Sequence, residues 1–202
     1  MGIITYTMLH VLKLQSLAWN YRDGVTDPKN LTQDQINKAV KDFPSLIEMT
    51  SYSFYCNTAA VGVFFEFRDY KKFIECTDEY KNIPNPLMAS LKWLAQCLIF
   101  MGIFAVGGKL IPLEYCWSEN FDKHSFLYRV VFYFVAAFPK RAFYYSPFSA
   151  TTGAIIASGF GYNGIKTVKE KEVHQWDKVI GVYWFECETI ISPVEVFRYW
   201  NY

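Results

Sequence analysis

The sequence predicts an all-α protein, a polytopic transmembrane helix bundle edged by interfacial amphipathic helices. Three observations carry that expectation. The 202 residues are 52% hydrophobic, with 18 Phe, 15 Tyr and 6 Trp, and only 19% are charged, where soluble domains carry about a quarter. The charges are clustered, so the mean hydropathy of +0.05 hides long windows without any. Between those windows lie one-sided stretches with apolar residues at helical spacing.

In chain order, Gly2 to Leu12 reads as the tail of a span. Asp23-Gly24 marks a turn, and Pro28 excludes helix just before it. Thr32 then caps a short helix with Gln35 completing a capping box, and Ile36, Ala39, Val40 and Phe43 share one face. Met49 to Phe65 runs 17 residues without a charge, Trp93 to Gly108 runs 16 and Ala142 to Ile165 runs 24. At about 1.5 Å per residue across roughly 30 Å of hydrocarbon, the last can span and the first two are marginal. Val130 to Phe138 adds a shorter apolar block. Phe67 to Lys81 sets Phe67, Tyr70, Phe73 and Ile74 against Arg68, Lys71 and Lys72, which suits a membrane interface or another protein helix equally. Ala150, Ala154 and Ser158 recur every four positions, a spacing that lets helices approach closely in lipid.

Other classes find little support. A net charge of +1 offers no basic face for nucleic acid. Cys56, Cys76, Cys97, Cys116 and Cys187 are too scattered for a zinc site and read as buried free thiols. The N-terminus lacks the cationic region and small-residue cleavage site of a signal peptide. Hydropathy alone leaves open a soluble, aromatic-rich core. A small transporter would want ionisable residues within its spans, and Ala142 to Ile165 has none.

Gly159 to Gly164 (GFGYNG) fits the glycine fingerprint of dinucleotide sites, with Glu186 downstream as a ribose acid would be. The charged IKTVKEKEVHQW that follows cannot be the core-packed helix such a site needs, so the glycines read as the exit from a membrane helix. His10 reads as a hydrogen-bonded core residue, His124 and His174 as solvated. No G-x-S-x-G elbow is present, and Glu186 and Glu188, two apart, fall on different sides of a helix.

Several stretches resemble the membrane-bound O-acyltransferase family, in its lysophospholipid acyltransferase branch. They are LKLQSLAWNYRDG (Leu12 to Gly24), KDFPSLIEMTSYSFY (Lys41 to Tyr55) and FEFRDYKKFIE (Phe65 to Glu75). GFGYNG, the Trp176 region, Trp184 to Glu186 and the closing YWN follow in family order. Two departures stand out: Thr58 to Val63 lacks the first glycine and the proline of a G-x-x-x-G-P turn, and Thr152-Gly153 lacks a carboxylate found before the glycine loop.

The resemblance implies a fatty acyl transfer from acyl-CoA, a co-substrate with no further cofactor or metal, to the free hydroxyl of a lysophospholipid. It implies membrane lipid as surroundings and a multi-pass protein of the endoplasmic reticulum membrane. Asn201, after Trp200, matches the family's catalytic asparagine, whose partner is a histidine farther along in a W-H-G block. That histidine has no counterpart here. Residues 1–202 are therefore expected to be the central part of one such domain, without its early N-terminal spans and its histidine-bearing C-terminal region, and inactive alone. The other reading left open is a noncatalytic, truncated multi-pass membrane protein.

Overall fold

The computed structural model describes residues 3–56, 63–168 and 170–200. Helix α1, Ile3–Val25, runs straight through the predicted turn at Asp23-Gly24. The reason is a crossing chain. The amide of Val40 donates to the carbonyl of Asn20 at 2.9 Å, and the Val40 carbonyl occupies the space that a Cβ on residue 24 would need. Glycine is thus required by close approach and not by a turn. Helix α2, Gln33–Lys38, carries the expected capping box from Thr32 and Gln35. It stops before Phe43, which stays exposed. A second box, Ser45 with Glu48, opens α3, Leu46–Ser53.

The Met49 to Phe65 window does not form one helix among the described residues. Helix α3 ends at Ser53, residues 63–66 belong to no helix or strand, and Tyr52, Val63 and Phe65 are buried in a core. Helix α4, Phe67–Ile74, joins that core through Phe67 and Tyr70. Its lysines face acids: Lys71 lies 3.4 Å from Glu48, and Lys72 lies 2.9 Å from Asp78. Its apolar face thus packs against protein.

Leu87–Trp117 is the one stretch among the described residues long and apolar enough to cross a membrane, by length and composition. It comprises α5, Leu87–Gly102, a π-helical turn, Ile103–Gly107, and shorter turns beyond. Only 11% of its most apolar part is buried, which is unlike the core helix of a soluble protein. The long helix α6, Phe126–Ala157, packs along it. Gln96 meets Ser149, Phe100 meets Tyr145 and Phe104 meets Phe143, so the two run antiparallel. The contact face of α6 is Tyr145, Ser146, Ser149 and Gly153. Ala150 and Ala154 of the predicted small-residue ladder point away and are exposed.

Ala142 to Ile165 is helical only to Ala157. Gly159, at φ +90°, then turns the chain out, as the exit reading expects. The all-α expectation needs one correction: Ile165–Val168 (β1) and Lys171–His174 (β2) form an antiparallel hairpin, with Ile165 opposite His174. Lys166, Thr167, Lys171 and Glu172 are exposed, so the backbone pairs with itself instead of packing as a helix face. Two short helices follow, α7, Trp184–Thr189, and α8, Pro193–Tyr199. The cysteines form no disulfide among the described residues, but only Cys97 is buried, and Cys56 and Cys76 are exposed. These two sit at or beyond the ends of α3 and α4, where little covers them.

Candidate active site

Asn201 lies outside the described residues. The residue before it is well placed: the Trp200 ring packs 5.9 Å from Tyr145 and 5.5 Å from Phe148, both on α6. A backbone bridge pairs Trp200 with Val182, and the Tyr183 amide donates to the Tyr199 carbonyl at 3.0 Å. Val182 is in turn part of a buried run, Val179 to Val182, laid against α6. There the Gly181 amide donates to the Thr152 hydroxyl at 3.0 Å. The segment leading to Asn201 is thereby fastened to the long helix at both its beginning and its end.

Beneath it runs a polar seam between two apolar helices. Gln96 donates to Ser149 at 2.9 Å, and Ser149 donates to the Tyr145 carbonyl at 2.9 Å. Ser149 and Thr152 are fully buried. At the edge of the seam Arg141 grips Glu188 with two hydrogen bonds, Nε to Oε1 at 2.7 Å and a terminal nitrogen to Oε2 at 3.0 Å. The Tyr145 hydroxyl donates to the same Oε1 at 2.6 Å. Glu186 has no such role, so the two glutamates do part company as their spacing predicts.

A second polar knot lies on α1. Lys13 is fully buried; its ammonium donates to the Tyr52 carbonyl at 3.2 Å and sits 4.1 Å from the centre of the Phe65 ring. Ser16 and Asn20 both donate to Glu66 Oε2 at 2.9 Å, and Lys38 lies 3.6 Å from the same carboxylate. Gln35 donates to Asp23 at 3.2 Å. The LKLQSLAWNYRDG stretch therefore ties α1 to α2, α3 and the chain before α4. An open apolar groove of about 530 Å³ adjoins it, lined by His10, Leu14, Met49 and Phe54 among others. That is within the size range of small-molecule sites.

The histidines are dispersed. His10 is half-buried, with its ring 4.7 Å from that of Phe54. His124 and His174 are exposed, each 3.0 to 3.1 Å from a tyrosine hydroxyl, Tyr115 and Tyr162. The glycine loop serves packing. Phe160 is fully buried and its carbonyl accepts from the Tyr80 hydroxyl at 3.1 Å.

The sequence reading weighed Glu188 only against Glu186, and missed its partners Arg141 and Tyr145 and the buried Lys13. Arg141 could have been found, because an ionisable residue within a long apolar helix is costly unless it is used. Its partner could not, since 47 residues separate the two.

A family model described as the membrane-bound O-acyltransferase family matches residues 1–202. The lysophospholipid acyltransferase of Saccharomyces cerevisiae is 28% identical, over 98% of this chain and 35% of that protein. Lysophospholipid acyltransferase 5 of Homo sapiens is 30% identical, over 86% of this chain and 36% of its own length. Lysophospholipid acyltransferase 2 of Arabidopsis thaliana is 28% identical, over 96% and 43%. The chain thus spans well under half the length of these curated relatives.

Proposed function

Because the chain belongs to the membrane-bound O-acyltransferase family, we propose that the protein re-acylates lysophospholipids with acyl-CoA as donor, within a multi-pass helix bundle of the endoplasmic reticulum membrane. In this reading Asn201 is one catalytic residue and orients a reacting group by hydrogen bonding. A histidine outside these 202 residues is the general base. It takes the proton of the lysophospholipid hydroxyl as the oxygen attacks the thioester carbonyl. The C–S bond breaks, CoA leaves as a thiolate that accepts a proton, and a diacyl phospholipid results. Both substrates carry acyl chains, so a site walled by apolar helices keeps those chains out of water.

One structural observation carries the assignment of Asn201. The residue before it is fastened over a polar seam between two helices whose outer faces are apolar. Between such helices lipid substrates dissolve and hydrogen bonds are little weakened by water, which supports a role for the neighbouring asparagine. The test uses microsomes holding the full-length protein, given labelled acyl-CoA and lysophospholipid. Labelled diacyl phospholipid should form, and Asn201→Ala should abolish it. Activity surviving that substitution would remove Asn201 from the mechanism. Absence of any incorporation by the wild type would return the noncatalytic reading.

A further inference from the structure

We propose that Arg141, Tyr145 and Glu188 form a brace that sets the position of the segment bearing Asn201, and so act as positioning residues for the acyl transfer. The proposal rests on the catalytic role given to Asn201 above. Its basis is that one side chain, Tyr145, touches both the carboxylate of α7 and the tryptophan that ends α8. Its hydroxyl donates to Glu188 at 2.6 Å, and its ring lies 5.9 Å from that of Trp200. Tyr145 is itself almost wholly buried, held against Phe100 at 5.4 Å, so it cannot follow a shift of either partner.

Arg141 completes the geometry. Its planar fork meets both oxygens of Glu188, which fixes the rotation of the carboxylate as well as its distance. A lysine could supply the charge but only at one point. The loop from Val182 to Trp200 is closed by the Tyr183 to Tyr199 hydrogen bond, so α7 and α8 move as one hairpin on this brace. A displacement of about 1 Å at a reacting group can cost on the order of a hundredfold in rate. Tyr145 of the brace packs against Trp200, the residue that precedes Asn201 in the chain.

Three variants of the full-length protein test this: Glu188→Gln, Arg141→Lys and Tyr145→Phe, each near-isosteric. We expect kcat per folded molecule to fall about tenfold to a hundredfold, with KM for acyl-CoA and for lysophospholipid changed less than about twofold. The exchanged pair Arg141→Glu with Glu188→Arg should recover part of the kcat that Arg141→Glu alone loses. Unchanged kcat, or a loss explained wholly by less folded protein, overturns the proposal.

A second readout needs no activity. Asn201→Cys, in a full-length background freed of native cysteines, is labelled with a maleimide, with and without Glu188→Gln. The labelling rate should change severalfold, and an equal rate overturns the brace. If the wild type transfers no acyl group, the proposed function fails while the labelling result still decides the brace.

Discussion

Around Phe160 the molecule buries its aromatic rings, whereas along α5 and α6 it displays them. Phe160 is fully buried, with the rings of Tyr55, Phe65 and Phe73 within 5.0 to 5.5 Å. Charged residues surround that core: Lys178 reaches Asp69 at 3.0 Å and Glu79 at 3.2 Å. In the helix pair the order is inverted. Leu98, Ile99 and Phe134 are 60% to 66% exposed, while Ser149 and Thr152 are wholly enclosed. The first region has the order expected in water and the second the order expected in lipid, where outward apolar side chains cost nothing and inward polar ones hold helices together. One chain thus carries two opposite patterns of burial.

The sharpest way to break this contrast is to truncate one large apolar side chain in each region. Phe160→Ala should destabilise the detergent-solubilised protein by about 3–5 kcal/mol, seen as an early melting transition. Leu98→Ala should move that transition little, and equal losses would erase the distinction. Next in size is charge placed on each surface. Leu98→Lys should oppose membrane insertion by about 2.5–3.5 kcal/mol in a glycosylation-reporter assay. Ile47→Lys, at a position 80% exposed on α3, should stay within about 0.5 kcal/mol of wild type. A matching insertion defect at both sites would place α3 in lipid too.

Alkaline titration probes the watery region alone. Burial by itself would lower the Lys178 ammonium, but Asp69 and Glu79 outweigh it and hold the group above its ordinary 10.5. A folded value raised above the unfolded one stabilises in full below about pH 10.5 and is lost as pH climbs through the raised value. Lys178→Met should therefore lower the melting temperature at pH 7 and flatten its alkaline decline, and an unaltered alkaline limb would remove this linkage. The smallest effect belongs to the seam. Gln96→Leu loses one interhelical hydrogen bond, about 0.6 kcal/mol in comparable helix pairs, measurable by steric unfolding in bicelles. A loss of several kcal/mol would mean that the seam holds more than the packing around it.

Local chemistry was legible from the residues alone. Thr32 with Gln35 predicts a helix start because its partners are three residues apart, and Gly159 marks an exit because its φ is a property of the backbone there. The motif order likewise predicts the family that the whole chain matches. The Met49 to Phe65 window was misjudged as a marginal span because hydropathy counts apolar side chains without knowing what they meet. Tyr52 and Phe65 meet each other and Tyr70 across that window, in a core that also holds Val63. Asp23-Gly24 was misjudged for the same reason, since the chain that demands a glycine comes from residue 40.

By itself, then, the sequence determined the helix caps, the clustering of charge that makes membrane spans possible, and the tryptophan-asparagine pair at Trp200 and Asn201. Only the tertiary structure decided which apolar windows turn outward and which close on each other, and that an arginine at 141 and a tyrosine at 145 share one glutamate, Glu188. The physical reason is range: caps and turns act over three or four residues, whereas burial and ion pairing depend on neighbours that the chain brings back from dozens of residues away.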